Sequence, residues 1–121
     1  MRFEVIGLKI PYFDAHCDTI GMALHPGDSL RSNPYRIDLL RGAALGRYAQ
    51  VFALYGDVDS VKHVDLWTHC RTLYERFQRE LRENSDLIQP CRNRAEIDNA
   101  VDGGRISALL SIESADLLEC C

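Results

Sequence analysis

The stretch "RISALLSIES", Arg105 to Ser114, is nearly continuous apolar sequence closed by a glutamate, Glu113. A strand covered on one face alternates apolar and polar residues. A parallel strand covered on both faces does not need to. The run therefore predicts a buried parallel strand. Just upstream, Asn93 with Glu96 three residues later resembles a capping box, opening a helix through Ile97, Ala100 and Val101. Gly103-Gly104 ends that helix in the manner of a left-handed C-cap. Before it lies a short extended piece, "DLIQPC", Asp86 to Cys91.

Further upstream, from Ser60 to about Arg82, the period changes. Val64, Trp67, Leu73 or Tyr74, Phe77 and Leu81 recur at three- and four-residue steps among Arg, Glu and Gln. This is an amphipathic helix, with Asp59 or Ser60 as the expected N-cap and Asn84-Ser85 as its exit. "YAQVFALYG", Tyr48 to Gly56, is aromatic and aliphatic, closes on glycine, and reads as a strand. "IDLLRGAALG" before it is a short helical or irregular connector. "GMALHPGDSLRSNPYR" is a long loop with at most a helical turn. The first strand is Tyr12 to Asp18. Strands alternating with helices give an α/β fold with a parallel sheet.

The chain of 121 residues has the length of one modest domain. With 46% apolar and 26% charged residues it has the composition of a globular protein rather than a disordered one. A net charge of −4 with no basic cluster argues against a nucleic-acid partner. No apolar run spans a bilayer. The few residues before Phe13 include Glu4 and Lys9, so no secretory signal is expected. A cytoplasmic protein without a membrane partner follows as the expectation. The cysteines, Cys17, Cys70, Cys91, Cys120 and Cys121, are odd in number and contain no C-x-x-C. Neither a disulfide framework nor a structural zinc site is indicated, and most are expected to be reduced and buried.

Chemistry concentrates in "FDAHCDT", Phe13 to Thr19. In a regular strand, Asp14, His16 and Asp18 share one face, and Phe13, Ala15 and Cys17 the other. Unpaired charge cannot be buried cheaply, so the polar face is either solvated or ligates metal. His16 and Asp18 put an imidazole nitrogen beside a carboxylate oxygen, both good zinc ligands. They lie at the C-terminal end of the strand, where parallel α/β folds build their sites. Glu113 ends its own strand in the same way. Alone it reads as the first solvated residue of a loop; with His16 and Asp18 it is a third ligand from a nearby strand. His25 lies in the long loop and is most simply solvated there, and His63 and His69 read as surface helix residues. Gln50, inside a strand, requires a buried hydrogen-bond partner. Asp57 and Asp59 read as helix-start residues.

"FDAHCDT", then "IDLLRGAALGRYAQVFALY", then "ISALLSIES", in that order and separation, resemble the membrane (renal-type) dipeptidase family, zinc hydrolases of the amidohydrolase-like barrels. The resemblance covers essentially the whole chain, and Asp-x-His-x-Asp is its most specific element. It implies about three strands from the N-terminal part of a (β/α)8 TIM barrel carrying a binuclear zinc site, with two ions in the complete enzyme. Carried over by position, His16 and Asp18 ligate one zinc and Glu113 bridges both. Asp14 supports His16 from behind rather than binding metal. The implied reaction is hydrolysis of dipeptides as small-molecule substrates, and the resemblance leaves a homo-oligomer open. The family follows its bridging glutamate with Gly; this chain has Ser114 and Ala115.

A barrel of this type takes about 250 residues. The family's two further metal histidines, its substrate-gripping Arg and its late-strand Asp would fall beyond Cys121, so residues 1–121 are expected to be a single, incomplete barrel domain with no catalytic residue of its own. The competing readings are another amidohydrolase-like metal hydrolase acting on non-peptide amides, and a non-catalytic α/β interaction module. The purified 121-residue chain is expected to hydrolyse no dipeptide. Robust release of free amino acids by that chain would overturn the expectation.

Overall fold

The computed structural model describes residues 10–22, 25, 27–56, 61, 65–114 and 116. Its elements are β1 (Tyr12–Cys17), α1 (Thr19–Met22), α2 (Leu39–Ala43), β2 (Tyr48–Tyr55), α3 (Leu66–Glu83), β3 (Ile88–Pro90), α4 (Arg94–Asp102) and β4 (Ile106–Glu113). The four strands form one all-parallel sheet in the order β1-β2-β4-β3. The architecture is α/β, as the sequence pattern predicts. About three strands were expected, and the fourth is the extended piece in "DLIQPC". Ile88, Gln89 and Pro90 pair with Ile106, Ser107 and Ala108. Three residues carry too little periodicity to read as a strand until a partner supplies the ladder. Proline is tolerated there because β3 is an edge strand among the described residues.

The β2–β4 register sorts the sheet into two faces. Gln50 pairs with Ala108, Phe52 with Leu110 and Leu54 with Ile112, while Ala53 pairs with Ser111 and Tyr55 with Glu113. The first face takes α3. The rings of Phe52 and Phe77 lie 5.5 Å apart, and Tyr48, Leu54, Leu73, Leu81, Ile106 and Ala108 complete the same core. The second face takes α4 near the start of β4, where the Ser107 hydroxyl donates to the Ile97 carbonyl. The two helices cover only the first half of β4. Leu110 and Ile112 are 39% and 43% exposed, so the expectation of cover along the whole strand fails at its C-terminal half.

The long helix begins at Leu66 with Asp65 as N-cap, its carboxylate accepting from the Thr68 amide at 2.8 Å, and not at Asp59 or Ser60. Those two residues and Asp57 lie outside the described residues. Its buried stripe runs through Cys70, Leu73, Phe77 and Leu81. Each large apolar side chain buried this way contributes about 1.5–3 kcal/mol, which is what holds the helix to the sheet. Trp67 and Tyr74 point away from the core and are exposed. In α4, Asn93 accepts from the Glu96 amide as expected, but Glu96 reaches back to the Arg92 amide, one residue before the cap. Gly104 supplies the left-handed turn after this helix, with φ 76°. Gly42 is required for a different reason: a Cβ there would sit 2.8 Å from a ring carbon of Tyr48.

The long loop after β1 is pinned to α3 by a buried polar network. Glu80, 1% exposed, accepts from Arg76, from the Leu30 amide, from the Ser29 hydroxyl and from Asn84. Arg76 also donates to the Asp28 carbonyl. Removing one member of such a buried pair strands the other's charge, at a cost of about 3–5 kcal/mol. Glu80→Ala is therefore expected to lower the unfolding free energy by about 3–5 kcal/mol in urea titration. Asp86→Ala, which removes an exposed partner of Arg31, is expected to change it far less. Equal effects would show that the network does not anchor the loop.

Candidate metal centre

Parallel strands deliver their C-terminal ends to one edge of the sheet, and at that edge three side chains meet. His16 Nε2 lies 3.2 Å from Asp18 Oδ1 and 3.0 Å from Glu113 Oε2. One ligand atom from each of His16, Asp18 and Glu113 falls within 4.8 Å of the others. All three are close to half exposed, at 48%, 49% and 45%. The three residues singled out from the sequence as metal ligands thus come together, although β1 and β4 are separated by β2.

A break in the strand makes this possible. Asp14 pairs with Gln50 and Cys17 with Phe52, with a register shift between them. Gln50 and Phe52 share the α3 face, so Asp14 and Cys17 both turn toward it although they stand three positions apart. An extra residue accommodated in β1 is what permits that. His16, next to Cys17, is thereby turned to the opposite face, which is Glu113's. The expectation that Asp14, His16 and Asp18 lie on one uninterrupted strand face is corrected. Period-two reasoning has no signal for a bulge.

Asp14 does contact His16, but through the backbone. Its carboxylate accepts from the His16 amide at 3.1 Å rather than from the imidazole. It braces the bulged backbone that carries the histidine. Asp18 follows the end of β1, and its carbonyl accepts from the Gly21 and Met22 amides, so the first turn of α1 fixes its backbone. Between β1 and β4, Ala53 lies on the Glu113 face of β2. Neighbouring strands are about 4.8 Å apart, so His16 and Glu113 must reach across roughly 9–10 Å of backbone. A small side chain at Ala53 leaves that space free. Nothing in the sequence around Ala53 announces the role, which depends on register.

Gln50, fully buried, finds the partners it requires. It accepts from the Tyr48 hydroxyl and donates to the Val51 carbonyl at 2.9 Å and to the Asp14 carbonyl at 3.5 Å. It therefore ties β2 to the bulged segment of β1. His69 is not simply a surface residue. Its Nε2 lies 3.0 Å from the Tyr55 carbonyl and, as donor, tethers α3 to the end of β2 beside Glu113. His25 is exposed in the long loop, beside a cleft with Arg79 and Glu83 that does not include the trio. His63 lies outside the described residues. A cleft of about 290 Å³ next to the trio runs round the edge of β1 and is lined by Asp14, His16, Cys17, Asp18, Thr19, Met22, Arg36 and Ile37.

The donor set suits a divalent cation of zinc's character: one imidazole nitrogen and two carboxylates. Ligands of a tetrahedral zinc, about 2.0–2.2 Å from the ion, stand roughly 3.3–3.6 Å from one another. The spacings of 3.0 and 3.2 Å about His16 need only small side-chain adjustments to match. Cys17 is no part of this set. It is 8% exposed on the opposite face and belongs to the core. Burial pushes its thiol up from 9.0 to about 11; hydrogen bonds from Thr19 oppose this and the Asp14 and Asp18 charges add to it. A raised thiol pKa leaves less of the nucleophilic thiolate at any given pH. Cys70 and Cys91 are likewise buried, as expected, while Cys120 and Cys121 lie outside the described residues.

Cys17 is therefore expected to resist alkylation by iodoacetamide at pH 8 in the folded chain and to react readily once urea unfolds it. Mass-spectrometric mapping checks this, and rapid labelling in the fold would place the thiol in solvent. Among the described residues no helix is long and apolar enough to cross a membrane. No family model matches the chain, and no curated protein matches it.

Proposed function

We propose that this chain contributes His16, Asp18 and Glu113 to a zinc site of a metal-dependent dipeptidase of the membrane dipeptidase type, its sheet being the first part of a (β/α)8 barrel. The observation that carries the reading is the convergence of these three ligand atoms at the C-terminal edge of a parallel sheet. Such edges are where α/β folds place their chemistry. The order of the three sequence stretches that resemble the family, and the position of each ligand within them, supports the specific assignment.

In this reading His16 and Asp18 hold one ion. Glu113, whose Oε2 faces His16, has a second oxygen to offer a neighbouring ion. Bound zinc supplies a Lewis acid and lowers the pKa of a water it holds, the chemistry that amide hydrolysis needs at neutral pH. The chain's own contribution is positional. The β1 bulge aims His16, the Asp14 carboxylate braces the amide behind it, α1 fixes Asp18, and the buried Tyr48–Gln50 pair joins β2 to β1. The substrate is a dipeptide, the class implied by the family resemblance.

A second reading has an observation of its own. His16 within hydrogen-bond distance of two half-exposed carboxylates is also an ordinary surface ion pair, worth about 0–1 kcal/mol, in an α/β interaction module. Zinc titration separates the two. The chain is expected to bind zinc(II) in a form that His16→Ala and Asp18→Ala each weaken by tenfold or more, measured by competition with a chromophoric chelator. Affinity unchanged in both variants would favour the ion-pair reading.

A further inference from the structure

The loop after β1 meets α3 over a polar cleft of about 380 Å³, which contains none of the three candidate metal ligands. Small-molecule sites occupy about 300–1,000 Å³. Arg76, Arg79, Glu80 and Glu83 form its α3 wall, and Asp28 and Ser29 belong to its loop wall. Residues three and four apart share one helix face, so the four α3 side chains form one stripe. Arg76 is only 8% exposed. Its Nε and Nη2 are held by the Glu80 carboxylate and the Asp28 carbonyl. Its remaining nitrogen, Nη1, has no partner among the described residues and is not sealed from solvent, so it opens onto the cleft. A buried guanidinium thus keeps one pair of N–H donors for the cleft.

Arg79 and Glu83 pair neither with each other nor with another described residue, although Arg71–Glu75 and Arg94–Asp98 do pair across the same four-residue step. The charge of Glu80 is met by Arg76, and its second oxygen accepts from Leu30, Ser29 and Asn84. The Asp28 carboxylate accepts from the Tyr35 hydroxyl at 2.7 Å. What remains for a ligand is Arg76 Nη1 with Arg79 as donors and Glu83 as acceptor. Glu83 is the last residue of α3, where the helix carbonyls favour a cation. Guanidinium groups match a carboxylate. Three carboxylates against two guanidiniums leave no excess of positive charge, which disfavours a multiply charged anion such as phosphate.

From this arrangement we infer that the cleft binds a free amino acid, its carboxylate on Arg76 Nη1 and Arg79 and its ammonium on Glu83. A free amino acid is the product class of the proposed dipeptidase. That significance rests on the proposed function; the binding does not.

The test is an NMR titration of the full 121-residue chain with L-alanine, with EDTA present to keep metal from the candidate zinc site. The Ser29 and Arg79 amide resonances are expected to shift saturably. Arg79→Gln and Glu83→Gln, both at exposed positions, are each expected to weaken binding about tenfold or more, the loss of one charge-assisted hydrogen bond. Circular dichroism establishes that both variants fold. Acetate and ethylammonium each carry half of the ligand's charge and are expected to bind at least about tenfold more weakly than L-alanine. No saturable shift, affinity unchanged in either variant, or acetate or inorganic phosphate binding as tightly as L-alanine overturns the inference. The zinc titration above decides the metal reading separately, so either can fail alone.

Discussion

The structure depends on the parallel ladder between β2 and β4, which runs from Ala49–Ser107 to Tyr55–Glu113 without a break. An uninterrupted parallel register fixes two things at once. It assigns every residue of both strands to a face, and it brings both C-terminal ends to the same edge. Phe52, Leu54, Ile106 and Ala108 then form a surface that α3 can cover, and Glu113 is left at the rim. A slip of one residue would exchange the faces, burying Glu113's side of the strand and exposing the core. The hydrophobic cost of that exchange holds the glutamate in place.

Against this regular ladder, β1 is deliberately irregular. Its bulge lets Cys17 pack into the core beside Phe52 while His16, one residue earlier, turns to the rim. A bulge leaves backbone groups of the strand without their ladder partners. The nearby polar groups address that. Asp14 takes the His16 amide, and Gln50, itself satisfied by Tyr48, reaches the Asp14 carbonyl. Ser114, with φ 73°, is a separate irregularity just after β4. His16 therefore sits at a local departure from ideal strand geometry, a pattern expected where side chains must be aimed rather than merely packed.

Much of this was legible beforehand. The apolar run around Leu109 announces a parallel strand, though only its first half is buried, and the three-four spacing of Leu73, Phe77 and Leu81 announces the helix that covers the sheet. Asn93 and Glu96 announce a cap. Other features were not legible for physical reasons. The sequence predicts a start for α3 at Asp59 or Ser60 rather than at Asp65 because all three are competent N-caps, and local sequence does not rank them. Trp67 fits the apolar period yet faces outward, since at 100° per residue it falls on the flank of the buried stripe through Leu73 and Phe77. β3 is too short to carry a period at all.

By itself the sequence determined the α/β class, the order of the main elements, and the residue types able to ligate a metal. All of these follow from local periodicity and side-chain chemistry. Only the tertiary structure decided that His16 and Glu113 meet across β2, that Asp14 serves the backbone rather than the imidazole, and that Ser114 stands left-handed behind the glutamate. Those outcomes depend on register between strands distant in sequence and on a bulge that shifts it. A spacing of two residues describes a strand; it does not describe the neighbour against which the strand is read.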